Sequence, residues 1–327
     1  MLIVDGLTPQ APQFTAPCVA DAGVAAVPPP RSSVTPFDYG RAFHRNLGWV
    51  TRSEQDALRR KRVAIGGLGG VGGSYLIALT RLGISAFTLS DLDGFDLSNF
   101  NRQYGATIAT IGRPKLEVMI EAAQGINPDL AITVFPKGLD DGNYREFLRG
   151  ADVYVDSLDL YTTPLRWKIF DHCHANGIPV ITAAPIGMSS SLLVITPGGM
   201  CPREYFGISR GESVEQQIAR FLIGVNPRMK ALRGLVKEDG LDVRGRKLPS
   251  LVLGIEMCTA VACSTVLKLL IGRGKVRSAP WTCHFDALTN EQYYTWRPFG
   301  FRNPLQRLMF AYLCRRYLGA KSTAGSA

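Results

Sequence analysis

The chain has 327 residues, of which 46% are apolar and 20% charged, a composition typical of a folded globular protein. It has seven cysteines: the length of the chain argues against a disulfide scaffold, and the absence of a CxxC pair argues against a structural zinc site. The net charge of +10 favours an anionic partner such as ATP, an acidic protein or a lipid headgroup. No basic segment interleaved with aromatic residues is present, so nucleic acid is not expected.

Residues 1–36 are rich in Ala, Pro and Val and predict a flexible N-terminal arm. The first ten residues, MLIVDGLTPQ, lack the basic region and the apolar run of a signal peptide. No stretch is expected to be long and apolar enough to span a bilayer. Because reduced thiols are the default for such a chain, we expect a cytoplasmic protein.

Residues 37–60 are predicted to be helical, with a capping box formed by Thr51 or Ser53 and Glu54. From residue 61 onward, apolar strands alternate with helices. The predicted strands cover 62–67, 86–93, 131–138, 151–159, 178–187 and 190–199. The predicted helices cover 74–83, 112–127, 143–150 and 162–177. This order predicts an α/β fold with a Rossmann-like, doubly wound, mostly parallel sheet and flanking helices.

The pattern loosens after residue 200, which predicts a mixed C-terminal extension over 201–327. Residues 249–272 are predicted to form a long apolar helix packed on the sheet. The end of the chain, from Asn303 to Lys321, is predicted to form a basic amphipathic helix. That helix could pack on the domain, contact a partner or lie on a membrane surface, although membrane contact is the less favoured role. The main α/β domain is assigned to 37–200.

A glycine-rich turn follows the first predicted strand. Gly67, Gly69 and Gly72 fit G-x-G-x-x-G, and Gly70 lies within the same turn. Asp91 follows Gly72 by 19 residues, where an acid can bind ribose hydroxyl groups, and Asp93 comes just after it. These features predict a nucleotide site but do not separate NAD from ATP.

The next stretch, SNFNRQYGATIATIGRPK, favours ATP. A triphosphate needs more positive charge and more amide donors than the pyrophosphate of NAD. Arg102 and Lys115 can supply charge to the β- and γ-phosphates. Asn99 and Gln103 can donate to phosphate or ribose oxygens, and one helical turn would place them on the same face as Arg102.

The fourth predicted strand ends in two acids, Asp156 and Asp159. Ligands bind at the carboxyl edge of such sheets, and a carboxylate there can hold Mg²⁺ against a triphosphate. We assign the magnesium role to Asp159.

Together these motifs resemble the ThiF/MoeB/HesA superfamily, whose catalytic core is shared with ubiquitin-activating enzymes. The matching segments are GGLGGVG, SDLD, SNFNRQ, GRPK and SLD, in the family's order. The resemblance implies an ATP-dependent adenylyltransferase that activates the C-terminal carboxylate of a ubiquitin-like or carrier protein, or of a peptide. It implies catalytic roles for Arg102, Lys115 and Asp159, with ATP–Mg²⁺ as the bound nucleotide. It also implies a homodimer, in which Arg41 or Arg45 reaches the partner's ATP.

The chain departs from many relatives of that superfamily because it lacks their two CxxC pairs. Some relatives also use a cysteine to accept the acyl group, and Cys201 is the candidate for that role. The substrate could instead be a small-molecule or tRNA-linked carboxylate. An NAD-dependent oxidoreductase and a nucleotide-binding partner module without catalysis also stay open.

Overall fold

The computed structural model describes residues 25–26, 36–209, 211–229, 234–236 and 248–315. Within these residues, nine strands form one sheet in the order β1-β4-β3-β2-β5-β6-β7-β8-β9. The strands are β1 (Ala25–Ala26), β2 (Arg62–Gly66), β3 (Ala86–Ser90), β4 (Ala131–Phe135), β5 (Val153–Asp156), β6 (Val180–Ile186), β7 (Ser189–Ile195), β8 (Trp281–Asp286) and β9 (Glu291–Trp296).

Ten α-helices accompany this sheet in the described part of the chain. They are α1 (Tyr39–Ala42), α2 (Arg52–Arg59), α3 (Gly70–Arg81), α4 (Lys115–Gln124), α5 (Tyr144–Phe147), α6 (Thr163–Ala175), α7 (Pro202–Phe206), α8 (Val214–Val225), α9 (Val252–Ile271) and α10 (Pro304–Leu313).

The centre of the sheet is parallel, and its strands end at a common edge. Strands β4, β3, β2, β5 and β6 pair in parallel, with Gly66 in register with Ser90 on one side and with Asp156 on the other. The loops after β2, β3 and β5 therefore emerge side by side. This confirms the predicted Rossmann-like α/β fold, to which β7, β8 and β9 add an antiparallel end.

Alternation along the strands gives the sheet two apolar faces. In β2, Val63 and Ile65 pack with α3, α4 and α9, whereas Ala64 packs on the opposite face with α5, α6 and α8. Side chains of a strand point to opposite faces in turn, so a strand buried on both sides consists almost entirely of apolar residues. The helices on both faces fix the loops at the parallel edge.

The predicted helical block over 37–60 is divided in the structure. Helix α1 ends after four residues, and α2 begins only at Arg52, after a turn in which Gly48 has φ = +107°. A left-handed residue interrupts an α-helix, which explains the break. The predicted capping box is confirmed, because the Thr51 side chain accepts from the Glu54 N–H and Glu54 accepts from the Thr51 N–H.

Helix α9 corrects the expectation that no segment could span a bilayer. Its 20 residues are enough to cross a membrane, and its composition is apolar enough to do so. In this fold, half of it is buried against α3 and strands β6 and β7. Its apolar character is accounted for by its place on the sheet, which is the packing predicted for 249–272.

The C-terminal extension contributes to the same sheet. Strands β8 and β9 form a hairpin that pairs with β7, and neither strand is predicted from the sequence. Helix α10 begins where the amphipathic tail helix is predicted, and the residues beyond 315 lie outside the described part. Most of the predicted N-terminal arm also lies outside it, although Ala25–Ala26 pair with β4.

Candidate nucleotide site

The glycine-rich turn joins β2 to α3 in a conformation that needs glycine at two positions. Gly67 has φ = +98°, and a Cβ there would lie 2.6 Å from the Ser157 carbonyl oxygen. A Cβ on Gly72 would lie 1.9 Å from the Gly67 carbonyl oxygen. At Gly69 the nearest atom would be 3.9 Å away, in the amide of Gln103. The turn is therefore tightly packed beneath Gly67 and Gly72 and open above Gly69, beside the N-terminus of α3, where a phosphate can bind.

Asp91 follows β3 and fixes this turn from the side. Its carboxylate accepts the Leu68 N–H at 2.6 Å and the Asp93 N–H at 2.8 Å. Burial raises the pKa of Asp91, while the two backbone N–H groups and the charge of Lys115 act to lower that pKa. Each carboxylate oxygen keeps a second lone pair, so Asp91 retains the acceptor capacity that the predicted contact with ribose hydroxyl groups requires.

Lys115 is the first residue of α4, and its side chain is buried. Its Nζ lies 3.1 Å from Asp93 Oδ2, with the lysine side chain 8% exposed and that of Asp93 61% exposed. A second contact joins the same residues, since the Lys115 N–H donates to the Asp93 carbonyl. A cation at a helix N-terminus opposes the helix dipole, so this position favours a nearby anion. Contacts through Leu68, Asp91 and Asp93 connect the ammonium group to the glycine turn.

The SNFNRQ segment folds as a short 3₁₀ turn, not as a helix with one polar face. Asn99 and Gln103 are buried, and Asn99 Oδ1 caps the turn by accepting the Asp96 N–H. Arg102 is half-buried and donates to the Ser98 carbonyl at 2.8 Å. The predicted common face is therefore divided, because Arg102 turns back toward its own loop.

Gln103 carries an unused acceptor in this site. Its side-chain Oε1 is buried and has no hydrogen-bond partner, while its amide nitrogen lies near Gly69. A buried carbonyl oxygen without a partner is costly, and a ligand that brings a donor would relieve it. In ATP the donors are the ribose hydroxyl groups and the adenine amino group, since the ionised phosphates only accept.

The acid that ends β5, Asp156, and the acid in the loop after it, Asp159, have different environments. Asp156 is 3% exposed and forms a buried ion pair with Arg166 at 2.9 Å, with a further hydrogen bond from Thr182. Asp156 therefore lies at the ligand edge of the sheet, but its carboxylate is engaged by Arg166 and Thr182 inside the protein. Asp159 is exposed, and its Oδ1 accepts the Tyr161 N–H at 2.8 Å, which leaves the rest of its carboxylate available.

Cys201 is not brought together with these residues. Strand β7 ends at Ile195, in register with Val180 at the start of β6, so the chain leaves the sheet at the edge opposite the glycine turn. Cys201 then caps α7, where its sulfur accepts the Glu204 N–H. The two arginines considered for a partner's site, Arg41 and Arg45, lie exposed on α1 and on the turn after it.

Three supporting residues were missed by sequence reasoning. Ser157 donates to the carbonyls of Gly66 at 2.9 Å and Gly67 at 2.6 Å, fastening the loop after β5 to the glycine turn. Asn101 donates to the Ser250 carbonyl, and Ile255 on α9 packs over Gly70. Only the polar SLD motif next to a buried strand could have pointed to Ser157, whereas the other two contacts depend on tertiary structure.

Comparison with known proteins gives a match to the model described as "ThiF family" over residues 43–307. The molybdopterin-synthase adenylyltransferase of Escherichia coli K12 is 33% identical over 186 residues, which cover 55% of this chain and 74% of that protein. The tRNA threonylcarbamoyladenosine dehydratase of Haemophilus influenzae is 36% identical over 131 residues, covering 40% of this chain and 49% of that protein.

The fold is also found among solved structures. E. coli MccB solved with ATP has a TM-score of 0.55 at 18% identity, covering 76% of this chain and 65% of that chain. The structure titled PaaA has a TM-score of 0.60 at 16% identity, covering 81% of this chain and 75% of that chain. At these identities the likeness concerns the fold alone.

Proposed function

We propose that this chain, which belongs to the ThiF family and is an ATP-dependent adenylyltransferase, activates the C-terminal carboxylate of a carrier protein or peptide. The observation that carries this proposal is the buried ammonium group of Lys115 beside the glycine turn. Its carboxylate partner, Asp93, is itself largely exposed. Water screens the charge of an exposed carboxylate, so the buried ammonium group is only partly neutralised by Asp93 and is suited to a polyanionic ligand.

Different residues of the site would contact different parts of the ATP molecule. The open turn at Gly69 and the N-terminus of α3 would receive phosphate oxygens, and Asp91 and Gln103 Oε1 would accept from the ribose. Lys115 and Arg102 would lie along the β- and γ-phosphates. For Arg102 this requires its guanidinium to leave the Ser98 carbonyl, to which it donates in the free protein.

The chemical step needs charge stabilisation and alignment. A carboxylate oxygen of the substrate attacks the α-phosphorus, the bond from that phosphorus to the bridging oxygen breaks, and pyrophosphate leaves with the electron pair. No proton moves, because the nucleophile is already ionised. Lys115 and Arg102 stabilise the charge that gathers on the leaving group, and the tight glycine turn fixes the α-phosphate for in-line attack.

Asp159 fits the magnesium role in an ATP complex. Mg²⁺ is commonly held by one or two carboxylates together with substrate phosphates and water. The described residues contain no group of three or more potential metal ligands, so this chain would supply one carboxylate and ATP would supply the rest. When bound, the ion would neutralise charge on the departing phosphates.

The substrate class rests on the relatives. Their names include adenylyltransferases for molybdopterin synthase and for the sulfur carrier ThiS, and a SAMP-activating enzyme. MccB has been solved with the peptide MccA. We therefore infer a carrier protein or peptide that ends in a free carboxylate. A tRNA-linked carboxylate is the second candidate, favoured by the dehydratase relatives and by the net charge of +10.

Pyrophosphate exchange into ATP tests the proposal. We expect exchange that depends on Mg²⁺ and on a carrier protein ending in Gly-Gly or a peptide with a free C-terminus. Amidation of that C-terminus should abolish exchange, because it removes the nucleophile. Tight NAD binding without ATP binding would contradict the proposal, whereas exchange that requires modified tRNA would select the second candidate.

We also propose that the enzyme acts as a cytoplasmic homodimer in which Arg41 or Arg45 completes the partner's site. Both arginines are exposed, and neither forms an ion pair with any residue in the described part of the chain. The thioester role of Cys201 is not part of the proposal, since that residue lies at the other edge of the sheet.

A further inference from the structure

A cavity of about 350 Å³ lies between the C-terminal half of α9 and the antiparallel end of the sheet. Its lining includes residues of α9 from Ala260 to Lys268 and residues of strands β7, β8 and β9. The glycine turn contacts the other end of the same helix, at Ile255. No residue assigned to nucleotide binding lines this cavity, so it is a separate space.

The floor of the cavity is apolar. Leu192 and Val194 from β7, Val261 from α9, Val276 and Phe285 are buried or half-buried residues of its lining. Cavities of this size and lining receive the apolar part of small molecules. Cys283 also lies on the floor, and burial raises the pKa of its thiol despite the nearby positive charges of Arg277 and Lys268. The thiol therefore stays neutral and adds to the apolar surface.

The rim carries three cations, Lys268, Lys275 and Arg277. Among the described residues, no acidic side chain lines the cavity and none forms an ion pair with any of the three cations. A single unpaired surface lysine is ordinary, but three cations around one cavity create a positive potential, and no acidic residue among the described lining residues offsets it. The stem of Lys268 lies beside Gly274.

Arg277 is positioned by aromatic rings. Its guanidinium carbon lies 4.1 Å from the ring centroid of Tyr294 and 4.9 Å from that of Trp281. Such stacking uses the face of the guanidinium and leaves the N–H groups at its edge free to donate. The arginine is therefore preorganised as a donor at the rim of an apolar cavity.

We propose that this cavity is a second ligand site, which binds a small organic anion made of an apolar body and one carboxylate or phosphate group. The apolar body lies against Val261, Val276 and Phe285, and the anionic group is held by Arg277, Lys275 and Lys268. This site is independent of ATP and of the adenylation reaction. Its failure would therefore leave the proposed function untouched.

Isothermal titration of the full chain with octanoate, octyl phosphate and 1-octanol tests this site. We expect saturable binding of both anions and none of the alcohol, because the alcohol lacks the charge. Octyl phosphate should bind more tightly at pH 7.5 than at pH 5.5, since its second ionisation falls near pH 6. The affinity for octanoate should change little over that range. Comparing the two affinities and their pH dependence therefore shows whether the site prefers a carboxylate or a phosphate group.

Variants separate the contribution of the positive charges to binding from that of the open cavity. Lys275→Gln and Arg277→Gln should each weaken anion binding about tenfold, as expected for loss of one charge-assisted hydrogen bond. Lys137→Gln, which neutralises an exposed lysine on the loop after β4, should leave binding unchanged. Ser264→Trp should block the cavity from the exposed flank of α9 without removing a charge. Thermal unfolding followed by circular dichroism reports that each variant is folded. Equal binding of octanol, no saturable binding of either anion, or full binding by Ser264→Trp would overturn the proposal.

Discussion

At the residue scale, the burial of Lys115 leads to a direct prediction. Lys115→Met keeps the length and apolar stem of the side chain but removes the charge beside the glycine turn. We expect kcat/KM for ATP–pyrophosphate exchange to fall about 10²- to 10³-fold, because charge on the leaving pyrophosphate is no longer stabilised. The free energy of unfolding should change little, since a buried charge is lost together with its desolvation cost.

Lys168→Met is the matched control for that variant. Lys168 pairs with Asp141 on the surface, and both side chains are largely exposed. Its loss should leave exchange unaltered, because exposed pairs contribute little. Exchange by Lys115→Met within about threefold of the parent would remove Lys115 from the catalytic machinery.

The role of Asp159 can be separated from its local structural role. Asp159→Asn retains the oxygen that accepts the Tyr161 N–H, so the turn after β5 should remain intact. We expect the Mg²⁺ concentration for half-maximal exchange to rise roughly tenfold or more, because an amide oxygen binds this ion less strongly than a carboxylate. The control is Asp140→Asn, whose Oδ1 accepts the Gly142 N–H in a loop after β4. An unchanged Mg²⁺ titration in Asp159→Asn would refute the metal role.

Sequence reasoning could place residues at the ligand edge but could not establish their environments. Asp156 ends β5 and Asp159 follows it by three residues, and nothing in the sequence of that strand predicts different environments for the two acids. The difference arises from Arg166, which reaches back from α6 and holds Asp156 in a buried ion pair. Likewise, the sequence indicated a cation at position 115 but not its burial, which depends on how α4 packs.

At the element scale, the glycine turn combines two requirements that substitution can separate. Gly72→Ala places a Cβ 1.9 Å from a backbone oxygen, so we expect a loss of at least about 2 kcal/mol in unfolding free energy. Gly69→Ala meets nothing closer than 3.9 Å, and its stability should change by less than about 1 kcal/mol. Its methyl group would occupy the open space above the turn, which should raise the KM for ATP roughly tenfold.

Denaturant unfolding together with steady-state exchange measures both effects. An unaltered KM for ATP in a stable Gly69→Ala protein would show that the phosphates do not approach the turn at this position. A fully stable Gly72→Ala protein would show that the turn tolerates a different backbone path.

The elements that the sequence predicted share a strong local pattern. Strand β2 is a short apolar run that ends at glycines, and α4 lies between a proline and a glycine. The β8–β9 hairpin was missed although β9, EQYYTW, contains β-favouring residues, because its exposed residues outnumber its half-buried ones. Its stability comes from pairing with β7, which is distant in sequence. Helices α7 and α8 were missed for a related reason, since they bury aromatic residues against α6.

At the scale of the whole molecule, buried thiols predict a loss of stability at alkaline pH. Burial raises the pKa of Cys263 to about 12, from an ordinary value of 9.0. Because the folded pKa is higher, this thiol contributes stability that is present below pH 9 and is lost as the pH rises toward 12. At pH 10.5 the unfolded thiol is mostly ionised and the folded one is not, which corresponds to about 2 kcal/mol.

Urea unfolding at pH 7.5 and pH 10.5 isolates this contribution. The loss of unfolding free energy between the two pH values should be about 2 kcal/mol smaller in Cys263→Ala than in the parent. Val266→Ala, on the same helix, leaves a cavity but removes no ionisable group, and its pH dependence should match that of the parent. A parent-like pH dependence in Cys263→Ala would contradict the prediction.

The proposed homodimer is tested by combining two inactive proteins. Suppose that one subunit's site uses its own Lys115 and the partner's arginine. A subunit with Arg41→Ala and Arg45→Ala then lacks only the arginine that it supplies to its partner's site. A Lys115→Met subunit lacks only the lysine of its own site. Neither protein should catalyse exchange alone. In a 1:1 mixture with free subunit exchange, half of the dimers would be mixed, and each would contain one complete site. We therefore expect about a quarter of the parent activity to return.

Recovery should increase with incubation time as subunits exchange, and a Lys168→Met partner in place of Lys115→Met should give more activity. If the double arginine variant is active alone, both arginines lie outside the site. If the mixture stays inactive while size-exclusion chromatography shows mixed dimers, each site is built within one subunit.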